Sequence, residues 1–339
     1  MLHLRIVSPA DRTDAVVAAL RAATGATNVT LTRGAALEPP GDLVQADVAR
    51  EAADAVLDAL CTPALLRAGS ITLGSVDTAL GAGVERARDE APGEESDALV
   101  WEQLSATTGE ESTLSVTFLV FLVVATLIAA VGLLTDSQVL IVGAMVLGPE
   151  FGPLAGVAVA AVRREWRSAW LSMRALLVGF PVAVAVTALG VALLDAAGQV
   201  PDAYVQGHRP LTSFVSDPDV FSVVVALLAG VAGTISLTAA KASTLVGVFI
   251  SVTTVPAAAE VAAALVTGQG AQARGACVQL AVNLACIVLA AVVTLLVQEA
   301  AWGWVSRAGR SEPAGRAPAP RSASRRAPRS SSRPPGSSR

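Results

Sequence analysis

The segment Asp136–Val162 is apolar and long enough to cross a bilayer, yet it carries a carboxylate between two prolines. A membrane-spanning helix takes about 20 residues. Pro149 and Pro153 each remove a backbone donor, so a helix is expected to kink or break there. Glu150 costs at least ~2.5 kcal/mol at membrane depth, so it must face protein or water, or carry a proton. The segment therefore predicts a broken membrane helix with an ionisable group at its break.

A related pattern recurs later in the chain, in an apolar run that contains Pro256 and Glu260. When Val142-Gly143 is aligned with Val246-Gly247, Pro153 falls within one residue of Pro256. The recurrence predicts that the membrane part contains two copies of one structural unit.

The composition divides the chain into a soluble part and a membrane part. Hydrophobic residues make up 53% of the chain, and its mean hydropathy is +0.60. Residues 1–112 hold eighteen acids against eight arginines, a net charge of -10, whereas residues 306–339 hold nine arginines against one acid, a net charge of +8. The three cysteines have no metal-ligand spacing, and we find no P-loop, HExxH or nucleophile elbow. We therefore expect neither an enzyme nor a cofactor or metal.

Four regions follow from these patterns. Residues 1–80 predict a small α/β domain of ferredoxin-like βαββαβ order. Residues 81–112 predict an acidic linker and an interfacial helix, and residues 113–300 a transmembrane domain. Residues 301–339 are rich in Arg, Ser and Pro and predict a disordered tail.

The transmembrane domain is expected to be an α-helical polytopic unit with about six spans. They lie approximately at Leu114–Leu134, Gln138–Val162, Leu171–Leu194, Val220–Ala240, Ser243–Val266 and Cys277–Gln298. Dividing them after the third gives two sets of three, each with a proline-broken segment in the middle. An odd number of spans per set makes the sets antiparallel, which is the inverted-repeat arrangement of many secondary transporters.

The distribution of arginines predicts the orientation, since positive residues concentrate in cytoplasmic loops. Four arginines follow the second predicted span, at Arg163, Arg164, Arg167 and Arg174. The loop 195–219 holds four acids against Arg209, and only Arg274 opposes the trend. We expect a multi-pass protein of the plasma membrane with both termini in the cytoplasm, which agrees with the unpaired Cys61.

Glu150 and Glu260 are the leading candidates for a site near the membrane midplane, as proton relays or cation ligands. The remaining candidates are the residues that break the helices: Pro149, Pro153, Pro256, Gly148 and Gly152. The alternative is that these small residues and prolines serve close helix packing.

Three residues are secondary candidates. Lys241 is the only lysine of the chain, and lysine shifts its pKa readily when buried; the alternative is a lysine that extends to the membrane surface from a helix end. Asn283 lies within the last span, where its plainest role is a hydrogen bond between helices. Asp136 is the charge at the turn after the first span.

Three stretches together resemble a known family: DSQVLIVGAMVLGPEFGPL, GTISLTAAKASTLVGVFISVTTVPAAA and AVNLACIVLA. They are similar to the hydrophobic domain of the domain of unknown function 389 family, over approximately residues 113–300. The resemblance implies a prokaryotic multipass membrane protein, often with a small soluble domain before the spans. Members resemble GAM…P-L-x-G-P at the first motif and a Pro-Pro pair at the second. Here Glu150 follows Pro149 and Val255 precedes Pro256, so the chain resembles a variant branch.

The sequence therefore predicts a membrane transporter or channel-like protein for a small solute or ion, with a cytosolic ligand-sensing domain. The alternative is a non-transporting membrane sensor or scaffold. The expected partners are the bilayer, anionic lipid headgroups at the Arg-rich tail, a small solute or ion, and a second copy of the chain, but not nucleic acid.

Overall fold

A computed structural model of the chain describes residues 1–76, 78–91, 100–212, 215, 219–239 and 254–311. A small N-terminal α/β unit precedes a larger part that is wholly helical in the residues described.

The N-terminal unit is built on one antiparallel sheet with the strand order β2-β3-β1-β4. Its elements are β1 (Leu2–Ser8), α1 (Thr13–Ala22), β2 (Ala26–Leu37), β3 (Pro40–Val48), α2 (Ala53–Leu60), α3 (Pro63–Ala68) and β4 (Ser70–Ser75), with a 3₁₀ turn at Arg50–Ala52. Alternate residues of β1 (Leu2, Leu4 and Ile6) point to one face because side chains alternate along a strand. This face packs against α1 and α2. The order follows the predicted βαββαβ pattern, with α3 added before the last strand.

Two helices connect this unit to the rest of the chain. Helix α4 (Ala82–Glu90) lies in the segment predicted as a linker and buries Val84 and Ala87. Helix α5 (Trp101–Glu111) packs lengthwise against a helix of the membrane part through Leu104. The helix that the sequence predicted at the membrane interface is therefore packed against the membrane part of the protein.

The membrane part consists of eight described helices. They are α6 (Val116–Leu134), α7 (Gln138–Leu147), α8 (Phe151–Val162), α9 (Trp166–Ala196), α10 (Asp202–Val205), α11 (Val220–Thr238), α12 (Val255–Val266) and α13 (Gly270–Ser311). Within the described ranges, four helices are long and apolar enough to cross a membrane: α6, α9, α11 and the Gly270–Trp302 portion of α13. Helices α7 and α8 add a fifth if the bent pair counts as one span. Helix α12 is apolar but, with 12 residues, too short alone. The predicted fifth span, Ser243–Val266, lies largely outside the described residues.

The break predicted in Asp136–Val162 is confirmed. Helix α7 ends at Leu147, α8 begins at Phe151, and the two axes differ by 51°. Pro153 lies in the first turn of α8 and Pro256 in the first turn of α12. Proline is tolerated there because the first N–H groups of a helix have no partner within it.

The contacts define two ends of the helical bundle. At the near end, Arg50 of the N-terminal unit donates to the Thr238 carbonyl oxygen (3.4 Å). Arg163, which follows α8, pairs with Glu102 of α5 at that end (3.5 Å). At the far end, the side chain of Thr212 reaches Asp136. The N-terminal unit and the arginine-rich turn after α8 thus share one end, and the loop after α9 lies at the other.

Candidate functional site

Two helix starts meet inside the bundle. Glu150 immediately precedes α8 and Thr254 immediately precedes α12. The hydroxyl Oγ1 of Thr254 donates a hydrogen bond of 2.6 Å to Oε1 of Glu150, and both residues are fully buried. From this point α8 runs toward the near end and α12 toward the far end, where Gln269 contacts the carbonyl oxygen of Tyr204. The junction therefore joins two helices that diverge in opposite directions.

The two contacting residues occupy equivalent positions in the two related sequence patterns. The alignment that pairs Val142 with Val246 also pairs Glu150 with Thr254, since both pairs are 104 residues apart. By the same spacing, the equivalent of Glu260 is Gly156 and not Glu150.

The electrostatics of the junction favour a negative charge. The N-terminus of a helix carries a partial positive charge from its unpaired N–H groups. The Glu150 side chain precedes one such terminus and contacts the residue that precedes another. The partial positive charges of the two helix starts and the Thr254 hydroxyl thus favour a negative charge on this buried side chain.

Glu260 lies in a different setting, on α12. Its Oε2 accepts hydrogen bonds from Nη1 of Arg209 (2.7 Å) and from the hydroxyl of Tyr204 (3.2 Å). The Arg209 guanidinium also stacks over the Tyr204 ring at 4.4 Å. Glu260 is 0% exposed, Tyr204 1% and Arg209 4%. The structure therefore places Glu260 in a buried ion pair about 9 Å along α12 from Thr254, given a rise of 1.5 Å per residue.

The loop after α9 folds into the far end of the bundle. Tyr204 and Val215 pack in one core cluster with Val255 and Ala259 of α12. Burial raises the pKa of the Tyr204 phenol, so its hydroxyl stays protonated and remains a donor. A few buried residues of this loop thus cover the far end, while most of its other described residues are exposed.

Asp136 fixes the same loop from the opposite side. Its Oδ1 accepts from the Thr212 hydroxyl at 2.9 Å, and its Oδ2 accepts from the Leu211 amide at 3.4 Å. This secondary candidate therefore holds the far-end loop and lies apart from the junction of α8 and α12.

The other sequence candidates are distributed as follows. Gly148 directly follows α7, and Pro149 lies between Gly148 and Glu150. At Gly152, a Cβ would lie 2.7 Å from Cβ of Glu111, so this glycine permits close contact with α5. Asn283 is buried on α13 and accepts from Gln279 of the same helix at 3.4 Å. Lys241 lies outside the described residues.

Sequence reasoning missed Tyr204 and Arg209 as residues of these sites. For Thr254 it left two alternatives, lining a polar path or bonding back to its own helix, and named no partner. Arg209 is the one arginine in the acidic loop 195–219. The charge of this loop predicted the orientation of the protein in the membrane, but not the residue that pairs with Arg209. Tyr204 is the only tyrosine of the chain, a fact that says nothing about its position.

The fold and the junction define a helical protein of membrane type in which the break of the first bent helix meets the start of the short α12. Residues 145–289 match the model of the family described as Domain of unknown function (DUF389). This match confirms the resemblance identified from the three sequence stretches, and it includes Glu150, Thr254 and Glu260.

One curated relative is an uncharacterized protein of Methanocaldococcus jannaschii. It is 24% identical over 205 residues, which cover 60% of this chain and 61% of the relative. The chain therefore matches about three fifths of that relative's length. No solved structure matches the chain.

Proposed function

We propose that this protein moves a small solute or ion across a membrane and that its binding site lies where α8 and α12 begin. The observation that carries the proposal is the hydrogen bond between Glu150 and Thr254, which joins the two helix starts inside the bundle. Binding at such junctions is typical of secondary transporters, because interrupted helices present charged ends and backbone groups to a ligand.

The packing of the helices supports an inverted repeat. We assign α6, α7–α8 and α9 to one copy, and α11, the segment ending in α12, and α13 to the other. Helix α8 packs against α9 and α13, and α12 packs against α13 and α9. Exchanging the copies exchanges these contacts, as a two-fold relation requires, whereas the packing of α12 against α6 is not matched by close packing of α8 against α11. The proposal keeps six spans, with α12 as the end of the fifth.

The surface supports the proposed orientation, with the near end in the cytoplasm of a plasma-membrane protein. Trp166 and Trp170, at the start of α9, are 72% and 61% exposed. They flank Arg167, and aromatic residues beside arginines are typical of the cytoplasmic membrane boundary. The N-terminal unit would then be cytosolic and positioned to sense a ligand, and the Arg-rich tail would meet anionic lipid.

The experiment is an ion-flux measurement in proteoliposomes with proton, Na⁺ and K⁺ gradients applied in turn. We expect Glu150→Gln to abolish the flux that the wild type shows, because it removes the buried charge and keeps the side chain's size. Thr254→Val should reduce flux and Thr254→Ser should retain it, since serine keeps the hydroxyl donor. Glu299→Gln, an exposed carboxylate on α13, is the matched control. Normal flux from a folded Glu150→Gln protein would remove the junction from the mechanism.

The second candidate function is a membrane sensor or scaffold that transports nothing. The contacts between the N-terminal unit and the bundle favour it: Arg50 bonds both Gln103 (3.1 Å) and Thr238, and Asp54 accepts from the Trp101 amide (3.2 Å). Wild-type vesicles that carry no flux of any of the three cations, although an added ionophore produces one, would favour this function.

A further inference from the structure

Two cavities at the near end share the side chain of Glu111. The first, of about 320 Å³, lies between the N-terminal unit and the bundle, and its walls include Arg50, Gln103, Thr107 and Glu111. The second, of about 350 Å³, adjoins the break between α7 and α8. Its walls include Glu110, Glu111, Gly148, Pro149 and Gly152. Glu111 therefore stands between the space below the N-terminal unit and the helix break.

One polar face of helix α5 lines the way from the first cavity to the helix break, which we call the access path. Gln103, Thr107 and Glu111 are spaced by four residues, so they lie above one another on the same side of the helix. All three line the first cavity. The path thus follows α5 from Gln103 down to Glu111.

The end of α5 lies directly against the start of α8. Ser112 donates from its hydroxyl to the Gly152 carbonyl oxygen at 3.1 Å. A Cβ at position 152 would meet the backbone oxygen of Glu111 at 3.0 Å. Because residue 152 is glycine, the backbone of Glu111 can contact the first turn of α8, two residues after Glu150.

The charge along this path is negative at its inner end. Glu110 and Glu111 are adjacent, and both line the second cavity. At the outer end Arg50 is held by Gln103 and the Thr238 carbonyl oxygen. A cation that reaches the inner end thus meets carboxylates before it meets Glu150.

We infer that Glu111 is a further binding-site residue: the carboxylate that admits a small cation from the near end toward the helix break at Glu150. The destination of this route rests on the proposed function. The opposite end is covered by the Tyr204–Arg209 segment and its ion pair with Glu260, so the described cavities approach the break from the near end.

The test measures solvent access with thiol reagents and needs no transport. In a background of Cys61→Ser, Cys277→Ala and Cys286→Ala, single variants Thr107→Cys and Gly148→Cys are treated in sealed vesicles of either orientation. The probes are two membrane-impermeant methanethiosulfonates, one cationic and one anionic. Asp89→Cys, exposed on α4, supplies the reference ratio of their rates.

We expect both cysteines to react from the near side, with a cationic-to-anionic rate ratio about tenfold above the reference, because a negative cleft concentrates cations. Adding Glu111→Gln should return the ratio at Gly148→Cys close to the reference, and adding Glu299→Gln should leave it high. If Gly148→Cys does not fold in a melting assay, Thr117→Cys replaces it, since Thr117 lines the same cavity.

Labelling at the break from the far side only, no labelling from either side, or a ratio insensitive to Glu111→Gln would overturn the inference. If labelling fails while flux still depends on Glu150, the access route alone is wrong. If labelling succeeds while Glu150→Gln leaves flux unchanged, the proposed function alone is wrong.

Discussion

Glu150 and Glu260, the two buried acidic side chains predicted to form one site, have different electrostatic environments. Glu150 lies at two helix starts and accepts a hydrogen bond from the Thr254 hydroxyl, a neutral donor. Glu260 neutralises a cation, Arg209, that is itself buried. Removing one partner of a buried ion pair leaves the other charge uncompensated in a medium of low polarity. The same Glu→Gln substitution is therefore expected to test function at Glu150 and stability at Glu260.

Glu260→Gln should lower the free energy of unfolding by about 3–5 kcal/mol, the usual cost of breaking a buried ion pair from one side. Arg209→Gln should be similarly costly. The double variant should lose less than the sum of the two, because no charge is then left buried alone. Thermal melting in detergent measures all three variants. Strictly additive losses would show that the pair does not interact in the folded protein.

The sequence predicted the energetic cost of burying these carboxylates, but not which residues they would contact. Because Glu150 lies between two prolines in an apolar segment, it was predicted to face protein or water, or to carry a proton. In the structure it is buried within the protein. The choice of Thr254 as its partner depends on how two distant segments pack. The pairing of Glu260 with Arg209 likewise depends on a loop folding back into the bundle, which charge counting along the sequence does not reveal.

Among the helices and strands, apolar length predicted the long helices well. The predicted spans Leu114–Leu134 and Val220–Ala240 each coincide with α6 and α11 at one end and differ by two residues at the other. Proline also placed the break after α7 correctly, because its chemistry acts locally. Helices α3 and α4 were not foreseen, since each is short and gains its stability from packing rather than from its own pattern.

The close contact of α11 with α13 gives a prediction about helix packing. At Gly230, a Cβ would lie 2.7 Å from the Ile287 carbonyl oxygen and 2.7 Å from the Ala290 Cβ. Gly230→Ala should therefore push the two helices apart and cost about 1–3 kcal/mol, as overpacking does elsewhere. Gly143→Ala is the matched control, because space around Gly143 is open. Equal melting temperatures for the two variants in detergent would contradict the close approach of α11 to α13.

Across the whole molecule, the two ends of the bundle differ. The near end bears the N-terminal unit, the arginine-rich turn and the two cavities, whereas the far end is covered by a folded loop. The sequence predicted which segments share an end through its arginine bias. It did not predict that Tyr204 and Arg209 of the loop after α9 fold into the bundle, because an acidic, polar loop is expected to face water.

Cysteine labelling in intact cells tests the orientation of these ends. In the cysteine-free background, Gln199→Cys at the far end should react with an impermeant thiol reagent, since the loop is expected outside. Asp89→Cys on α4 should react only after the cells are permeabilised. Both positions are exposed, so access to the side chain is not limiting. The reverse pattern would invert the proposed topology.

The attachment of the N-terminal unit to the bundle should depend on pH through Asp54 of α2. Its Oδ1 accepts from the Trp101 amide of α5 at 3.2 Å. The pKa of Asp54 is raised from 3.8 to about 7, chiefly by burial and also by Glu102 and Asp58, while the Trp101 N–H and Arg163 oppose the shift. An acid whose pKa is raised in the folded state holds its proton more tightly there than in the unfolded chain. Stability is therefore lost as the pH rises from about 4 through about 7.

Asp54→Asn should remove this pH dependence, because asparagine still accepts the Trp101 hydrogen bond and never becomes charged. The variant should melt at a higher temperature than the wild type at pH 8, and the difference should shrink as the pH falls toward 4. Melting of the full chain in detergent across this range is the measurement. Asp89→Asn, an exposed acid on α4, should keep the wild-type slope. The prediction would be contradicted if Asp54→Asn lost stability with rising pH as steeply as the wild type does. The titrating group would then lie elsewhere, and Asp54 would contribute only its hydrogen bond with the Trp101 amide of α5.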